Sequence, residues 1–538
     1  MSLSPDTAAL AERLAKLLGG TAIVTDEEER AFLSSDVYSS SITAALAIRP
    51  GSRDRLPDAV RAISEAGFAI TPRGGGMSYT GGYVPSRART VALDLRGLNR
   101  IVEVNEADRV ITVEAGVTWH QIWKTLDPLG LRLPFFGTFS GHRATVGGGL
   151  SNGALFMGTA RHGTAAEIVT GLEVIDGRGR LIRTGQTAFH NGRPGFRNFG
   201  PDMTGLFVHD AGALGIKTLA SLRIMERPAA TEFSSFAFAG QLEAVRALSD
   251  IARAGVTEEA YIFDPATTRR SLEPASLKRD MARLREVMRQ EDGAVRGLRE
   301  GAKMVASGRR FVADGLYTLH CVCAGRSRAE VEADVRRVET LARDSGGLPI
   351  ANTIPKAARA KPFEPLNGIL GADGERWAAL NAKVPHSDAG RLIAATEELL
   401  SPYRERMEAL GVSTSFLYIA IGNHIFSYEP VLRWYDRWLP VHRRTPEPDH
   451  LARLNEPAPN PEASALVHEI RCAIVSLFAQ FGAASNQIGK TYPLLESMNA
   501  QTRAVLTALK SELDPDGLLN PGALGAFELS REEDNAPG

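Results

Sequence analysis

The sequence predicts an α+β protein built of more than one domain. Its 538 residues are enough for two or three hydrophobic cores. Apolar and charged fractions of 43% and 23% are those of an ordinary globular protein. Short strands and glycine-rich turns dominate up to about residue 230, whereas longer helical segments alternate with strands beyond it. This change in pattern places the first domain boundary at Glu226-Arg-Pro228.

The charge balance and the cysteine content exclude several functional classes. With a net charge of −1 and no unmatched basic run, nothing favours a nucleic-acid partner. No apolar run approaches the roughly 18 residues of a membrane-spanning helix, and the first residues lack the features of a signal peptide. Three cysteines suit neither a disulfide framework nor a four-thiolate iron–sulfur site, and they indicate a reducing compartment. We therefore expect a soluble, cytoplasmic protein.

The first part of the chain contains one clear hairpin and several helices and strands. Asp176-Gly177 joins two short apolar strands within 168–183, which is a strong hairpin signal. Pro57 in the first turn and a terminal Gly67 indicate a helix over 56–67. Further helices are predicted over 6–20 and 117–129, and further strands over 68–70, 91–95, 101–104, 110–114 and 218–224.

Two glycine runs stand out because each lies beside an apolar strand. Gly74-Gly-Gly76 follows the strand at 68–70, and Gly147-Gly-Gly149 comes about seventy residues later, in a segment over 134–153 that is predicted to be a long loop. Glycine has no Cβ and tolerates positive φ, so successive backbone N–H groups can converge on an anion. With the small-residue turn Gly212–Gly215, these runs predict a cradle for one long cofactor that carries a diphosphate. The alternative is a set of glycine-rich turns with no ligand.

Beyond residue 231 the pattern predicts helices on one face of a sheet. Residues 444–463 contain five prolines and suggest a linker or lid. A tail after residue 527 is acidic and is predicted to be disordered. The helical segments lie near 240–255, 276–306, 327–345, 388–410, 466–481 and 505–513, and the strands lie at 317–323 and 415–421.

Several well-known signatures are absent or incomplete. No Gly-x-Gly-x-x-Gly lies between a strand and a helix, which argues against the usual dinucleotide fold. Gly489-Lys490-Thr491 resembles the end of a phosphate-binding P-loop, but the required earlier glycine is Ala484. A nucleotide triphosphatase is therefore the weaker alternative. A zincin motif is interrupted because Cys472 occupies the position of its second histidine.

An ordered set of motifs resembles the FAD-binding domain of the vanillyl-alcohol oxidase/p-cresol methylhydroxylase flavoproteins. The matching segments are 72–78, 144–149 with Asn152 and Gly153, 171–177, 199–207 with 212–216, and 514–522. The resemblance covers nearly the whole chain. It implies a PCMH-type FAD-binding domain over 1–229, a ferredoxin-like α+β substrate (cap) domain over 230–455, and a helical segment over 456–527 that returns to the FAD domain, with 528–538 as the disordered tail.

The resemblance implies FAD as the cofactor, held without a covalent bond. Many relatives carry a histidine in the first loop that binds the flavin covalently, and the corresponding residue here is Met77, which cannot. His142 and His162 flank the second glycine run and are the alternative attachment points. The residues implied to contact FAD are Arg73, Gly74, Gly75, Gly76, Met77, Ser78, Thr145, Gly148, Gly149, Asn152, Gly153, Gly212, Gly215, Ile216 and Asn520.

The resemblance to glycolate and D-lactate dehydrogenases does not extend to their metal site. Tyr418 and Ile425 replace the two histidines of the first metal motif, and Ser485-Asn486 replaces the Glu-His pair of the second. His424 is one position out of register. We therefore expect no metal. The segment 487–492 matches that of phenol-oxidising relatives only in part.

Four residues are candidates for the chemistry. Transfer of a hydride from a C–H bond to flavin requires a group that handles the alcohol or phenol proton and a cation for developing negative charge. Lys490 is the candidate anion partner, and Tyr418, His424 and Tyr492 are the candidate proton-handling groups. The alternative is core packing for the tyrosines and a solvated charge for the lysine.

The expected function is that of an FAD-linked oxidase or dehydrogenase acting on a CH–OH group. The substrate would be a small organic molecule, either a hydroxy acid or an aromatic alcohol, and hydride would pass to flavin N5. Oxygen, a quinone or a carrier protein would reoxidise the flavin. The alternatives are a redox-neutral enzyme of the alkylglycerone-phosphate synthase type, a 4-hydroxybenzylic alcohol oxidase, and a catalytically silent subunit. The sequence does not decide the oligomeric state, which could be a monomer or a homo-oligomer.

Overall fold

Residues 3–272 and 315–525 are described by the structure, which is a computed structural model. The predicted helix over 276–306 and the predicted tail over 528–538 lie outside these residues. The described strands form sheets of four, five, two and eight strands. The first three sheets lie within residues 23–226 and the last within 230–434, so the sheets change near the predicted boundary at 229. The division into domains itself stays a prediction.

The strands are numbered in chain order. They are Ile23–Val24 (β1), Leu46–Ile48 (β2), Ala69–Arg73 (β3), Thr90–Asp94 (β4), Ile101–Asn105 (β5), Val110–Glu114 (β6), Leu131–Arg132 (β7), Val169–Ile175 (β8), Leu181–Arg183 (β9), Ile216–Arg223 (β10), Met225–Glu226 (β11), Ala230–Phe238 (β12), Glu259–Phe263 (β13), Tyr317–Gly325 (β14), Leu348–Pro349 (β15), Arg376–Ala379 (β16), Ala382–Pro385 (β17), Ser413–Ile421 (β18) and Ile425–Trp434 (β19).

The α-helices of the described residues are numbered in the same way. They are Pro5–Leu18 (α1), Glu27–Leu33 (α2), Leu56–Glu65 (α3), Trp119–Leu126 (α4), Val146–Asn152 (α5), Thr159–His162 (α6), Ala165–Ile168 (α7), Gln241–Ala254 (α8), Pro265–Leu272 (α9), Arg328–Asp344 (α10), Thr353–Ala360 (α11), Ala389–Leu400 (α12), Arg404–Ala409 (α13), Pro440–Arg444 (α14), Pro448–Leu451 (α15), Pro461–Gln480 (α16), Leu494–Ser497 (α17) and Ala500–Leu513 (α18).

The first sheet has the order β1-β2-β4-β3 and places the first glycine run at its edge. β2 and β3 both pair in parallel with β4, and the run begins directly after β3. α3 packs against β3, with five residues that include Leu56, Val60 and Ile63 buried. Ile70 also forms a parallel bridge with Leu519. The chain after α18 therefore returns to the first sheet, as the sequence predicted.

The second sheet is antiparallel and has the order β5-β6-β10-β8-β9. Its β8–β9 hairpin turns at Asp176, whose backbone N–H bonds to the Arg180 carbonyl at 3.1 Å. β10 pairs with both β6 and β8, and it follows directly on the Gly212–Gly215 turn. The predicted hairpin is confirmed, and this sheet positions the third small-residue turn.

The large sheet carries helices on one face and leaves the other face to a cavity. Its order is β15-β12-β14-β13-β18-β19-β16, with β17 also paired to β19, and all its pairs are antiparallel. α8 and α10 pack on it, α16 contacts β19, and these elements share one apolar core. This is the α+β arrangement that the sequence predicted.

Candidate functional site

The first two glycine runs touch each other. An added Cβ at Gly74 would clash with the Thr145 hydroxyl, and one at Gly75 would clash with the Arg143 carbonyl. The Arg143 Nε donates a hydrogen bond to the Gly75 carbonyl at 2.9 Å. Glycine is required here because only a residue without Cβ allows so close an approach of two backbones. The structure thus brings together segments about seventy residues apart in sequence.

The second glycine run is a helix, not the predicted loop. It forms most of α5, which Thr145 caps by accepting a hydrogen bond from the Gly148 N–H at 3.3 Å. Glycine disfavours helix by about 1 kcal/mol per residue, which is why the sequence suggested a loop. Tertiary packing overrides this preference, because an added Cβ at Gly147 would press on Ala115 and one at Gly149 on the Trp119 ring.

The third turn faces the base of the first run. Gly212 has a φ of +71°, and an added Cβ there would lie 3.3 Å from Pro72 Cγ. Asp210 fixes the turn, since its Oδ1 accepts from the Gly212 N–H at 2.9 Å and from the Lys217 ammonium at 2.6 Å. Both charged side chains are buried. A buried ion pair therefore ties the turn to β10 of the second sheet.

Asn520 ties these segments together from the other end of the described chain. Its backbone N–H donates to the Ile70 carbonyl at 2.8 Å. Its amide Nδ2 donates to the carbonyls of Gly82 at 2.7 Å and Ala211 at 2.6 Å. One buried side chain thus links the end of the first glycine loop to the third turn. Its role is to hold the loops together.

One cavity of about 1320 Å³ lies between the glycine runs and the open face of the large sheet. All the predicted cofactor residues line it except Gly153, Ile216 and Asn520. Ile216 is buried beneath the sheet, and an added Cβ at Gly153 would clash with His209, so these two support the wall from behind. A long cavity with backbone on one side is the shape that the sequence predicted for a cofactor site.

Arg73 gives this cavity a buried cation. Its side chain is 1% exposed, and none of its three guanidinium nitrogens has a hydrogen-bond partner among the described residues. The guanidinium lies 4.8 Å from the Phe32 ring centre and 5.2 Å from that of Tyr83. Burial lowers the pKa of Arg73. Because a buried charge without a counter-ion is costly, the site is suited to an anionic group such as a diphosphate.

Residues 44–185 match the protein-family model of the FAD binding domain. A solved structure of p-cresol methylhydroxylase superposes on the chain with a TM-score of 0.73 at 16% identity, covering 98% of this chain and 99% of that one. Residues 44–185 are therefore an FAD binding domain, and the chain as a whole is similar in fold to p-cresol methylhydroxylase. FAD is its cofactor, and the glycine cradle with its unpaired Arg73 fits that molecule.

The curated proteins to which this chain is similar include two D-lactate dehydrogenases [cytochrome]. The mitochondrial enzyme of Kluyveromyces lactis is 23% identical over 499 residues, which covers 90% of this chain and 76% of that protein. The mitochondrial D-lactate dehydrogenase [cytochrome] 1 of Saccharomyces cerevisiae is 26% identical over 209 residues. That second alignment spans 38% of this chain and only about a third of the relative's length, 34%.

The two alternative attachment points for FAD do not line the cavity. His142 is exposed and stacks on His120, with ring centres 4.8 Å apart. His162 places its Nε2 3.4 Å from a carboxylate oxygen of Glu258. Met77 does line the cavity but has no nucleophilic nitrogen to bond to a flavin. These positions support the expectation of non-covalent FAD.

The two tyrosine candidates for proton handling lie away from the cavity. Tyr418 faces the helices, because side chains alternate along β18 and its neighbours Leu417 and Ile419 face the cavity. Its hydroxyl accepts from the Gln241 amide at 2.5 Å. Tyr492 accepts from the Asn381 backbone N–H at 2.6 Å, and burial raises its pKa to about 12. Both are structural residues in this fold.

The two cationic candidates are also placed elsewhere. His424 is exposed in the turn between β18 and β19. Lys490 donates to the Val84 carbonyl at 2.5 Å, and burial lowers its pKa to about 8. Its backbone N–H and the Thr491 hydroxyl both donate to the Thr80 carbonyl, at 2.9 and 3.0 Å. The segment 489–491 is thus bonded to the first glycine loop, which argues against the P-loop alternative.

The cavity wall of the large sheet contains residues that the sequence analysis missed. Glu429 on β19 pairs with Leu417 on β18, and Leu417 pairs with Phe263 on β13. Directly paired residues share a face, so all three line the cavity. Tyr261 pairs with Ile419 in the next row. The sequence alone did not indicate this row, because it depends on the register of β18 and β19, which sets Glu429 opposite Leu417.

Glu429 is the carboxyl group of this wall. Burial raises its pKa to about 7, and a hydrogen bond from the Asn381 amide at 3.3 Å acts in the opposite direction. Glu429 is the one acidic residue of β19. A carboxyl group with a pKa near neutrality, facing a cofactor cavity, is equipped to exchange a proton with a substrate.

Two polar residues, Asn486 and Gln487, line the cavity beside the first glycine loop. The Gln487 amide donates to the Tyr79 hydroxyl at 2.9 Å and accepts from the Ser78 hydroxyl at 3.2 Å. The Asn486 side chain is 3% exposed, lines the cavity, and has no partner for its Oδ1 among the described residues. These two residues occupy the segment where the metal-binding relatives were expected to carry Glu-His.

Two further properties concern the whole described chain. Among the described residues, no group of three or more His, Cys, Asp or Glu side chains is arranged to hold a metal ion. Across residues 3–272 and 315–525, no helix combines the length and the apolar character needed to cross a membrane.

Proposed function

We propose that this chain is an FAD-dependent oxidoreductase that dehydrogenates a CH–OH group of a small organic substrate, a hydroxy acid or an aromatic alcohol. One observation carries the proposal. The same cavity is lined by the glycine cradle with its unpaired Arg73 and by the partly buried carboxyl group of Glu429. When bound there, FAD supplies the acceptor for the hydride that leaves the substrate carbon.

The protein's own part in the reaction is to bind, orient and deprotonate the substrate. Leu417, Phe263 and Tyr261 form an apolar surface beside Glu429 on the same sheet face. A substrate lying on this surface brings its hydroxyl group to the carboxylate, which accepts the proton as the C–H bond breaks. Because burial raises the pKa of Glu429 to about 7, the proton-accepting form dominates above neutral pH.

Two cations at the cavity rim favour substrates with a carboxylate. Arg269 and Lys361 line the cavity, and both are exposed. Glu364 on the same rim carries the opposite charge. The two positive groups would attract an anionic substrate, which is the feature that favours the hydroxy-acid option. The apolar sheet face supports the aromatic option, so both belong in the test.

The test is anaerobic mixing of the purified yellow protein with candidate substrates. Both enantiomers of lactate, 2-hydroxyglutarate and 3-phenyllactate would be compared with benzylic alcohols. We expect at least one of them to bleach the flavin absorbance, with dithionite as the control that defines full reduction. A protein that binds FAD and responds to dithionite alone would overturn the proposal in favour of the redox-neutral alternative. A colourless preparation without FAD would contradict the cofactor assignment itself.

A further inference from the structure

One loop of the FAD-binding domain carries four apolar side chains into solvent. The exposed fractions are 48% for Phe189, 62% for Phe196, 76% for Phe199 and 46% for Met203. Exposed apolar residues scattered singly need no explanation, but four within one short segment do. We call residues 185–203 the aromatic loop. It has no part in the cavity described above.

The exposure belongs to an ordered conformation. The Thr184 and Thr204 hydroxyls, both fully buried, lie 2.8 Å apart and close the base of the loop. Within the loop, the Gln186 backbone N–H donates to the Phe196 carbonyl at 2.9 Å, and the Gln186 side chain accepts from the Phe196 N–H at 3.2 Å. A compact loop with its ends joined is a common carrier of function.

The apolar side chains form a patch. The rings of Phe189 and Phe199 contact each other edge to face, with centres 5.6 Å apart. Phe196 is held beside Phe189 because both bond to Gln186 through their backbones. Each phenylalanine has roughly 150–250 Å² of surface, so the three rings expose on the order of 400 Å². A patch of this size is comparable to the largest that a typical monomer exposes, and such patches are often functional.

The exposed charge in the middle of the loop is positive. Residues 185–203 contain two arginines, Arg193 and Arg197, and one acidic residue, Asp202. Asp202 forms an ion pair with Arg197, and the distance from Arg197 Nη2 to Asp202 Oδ2 is 2.9 Å. Arg193 is exposed in the middle of the loop, between Phe189 and Phe196. A guanidinium beside protruding aromatic rings offers an ionic contact and an apolar one to the same partner.

We propose that the aromatic loop docks the protein on an anionic lipid bilayer. The patch is about half of the roughly 800 Å² that each partner buries in a stable protein complex, which argues against a second copy or a globular partner. Insertion at a bilayer surface needs no matching protein surface. The phenylalanine rings enter the boundary between headgroups and acyl chains, while Arg193 stays among the lipid phosphates. The protein then lies on the membrane without crossing it.

The test is co-flotation of the FAD-loaded chain with vesicles. Phosphatidylcholine vesicles with phosphatidylserine are compared with pure phosphatidylcholine vesicles. We expect binding to the anionic vesicles and a loss of at least about tenfold in the Phe196→Ser/Phe199→Ser double variant. Arg193→Gln should weaken binding about fivefold, the effect of one cation near an anionic surface. All variants should keep their flavin content, because none of these residues lines the cofactor cavity.

The control is Leu348→Ser. Leu348 is 68% exposed on the large sheet, far in sequence from the aromatic loop, and its loss should leave vesicle binding unchanged. Absence of flotation in the wild-type protein would overturn the proposal, as would flotation that survives the double variant. A dimer in solution that the double variant dissociates, without any flotation, would assign the loop to a second copy of the chain and reject the lipid surface.

Discussion

The two walls of the cofactor cavity are built in different ways. The wall of the FAD-binding domain is largely backbone: three glycine-containing segments press against one another, and Gly74, Gly75 and Gly212 leave no room for side chains. The wall of the large sheet is made of side chains, with Glu429, Leu417 and Phe263 in one row across three strands. The first wall suits a ligand that does not vary, namely the cofactor. In the second wall, single side chains can be substituted without disturbing the glycine cradle.

This difference separates what binds the cofactor from what selects the substrate. A backbone cradle depends on the absence of side chains, so single changes there are steric and affect FAD first. A sheet face depends on which residues occupy alternate positions, so single changes there affect substrate binding and proton transfer first. The predictions below separate these two classes of effect.

The largest expected effect follows from Glu429→Gln. Removing the proton acceptor should lower kcat/KM for flavin reduction by about 10²–10⁴, with FAD affinity unchanged. In the wild-type protein, kcat/KM should rise with pH through about 7, because burial raises the pKa of Glu429 and only the carboxylate accepts a proton. The variant should lose this dependence. Stopped-flow reduction across pH 5.5–8.5 measures both; an unchanged profile would exclude Glu429 as the base.

The next largest effect concerns FAD binding by Arg73 on the glycine wall. Arg73→Met should weaken FAD binding about 10- to 100-fold, the loss expected for charge-assisted hydrogen bonds to a diphosphate. The apoprotein should become more stable, because the guanidinium is buried without hydrogen-bond partners among the described residues. Titration with FAD measures the loss of affinity, and thermal unfolding of the apoprotein measures the gain in stability. Arg89→Met is the control, since Arg89 is exposed and lies outside the cavity.

The smallest effect compares two tyrosines of the same sheet. Tyr261→Phe should raise KM about two- to tenfold, since the buried hydroxyl lines the cavity and has no protein partner in the described structure. Tyr418→Phe should leave KM unchanged and lower the free energy of unfolding by about 1 kcal/mol, because Gln241 loses its hydrogen bond. If both variants changed KM equally, the placement of Tyr261 on the cavity face and of Tyr418 on the helix face of the sheet would be wrong.

The backbone wall was predictable from the sequence, and the side-chain wall was not. Glycine runs can be recognised in a sequence because the need for a residue without Cβ concerns single positions. The runs at Gly74 and Gly148 lie together in the cavity, as predicted. The residues of the sheet wall depend on strand register, which is a property of two strands together. Tyr418 was chosen from a motif match, but its neighbours Leu417 and Ile419 face the cavity instead.

Two further errors have the same physical origin. Lys490 suggested an anion partner by its charge, yet the fold directs its ammonium to the Val84 carbonyl. The run at Gly147 suggested a loop by its composition, yet close packing against Ala115 and Trp119 stabilises a helix there. In both cases packing between segments distant in sequence determines the contact or the conformation, and the local sequence does not show that packing.

The bonds made by Asn520 have a consequence for biosynthesis. Ile70, Gly82 and Ala211 emerge from the ribosome long before Asn520, whose single side chain and backbone amide join them. The nascent chain therefore carries all three glycine segments for more than half of its synthesis without the residue that fastens them. We therefore expect a chain that ends before Asn520 to bind FAD more weakly than one that includes it.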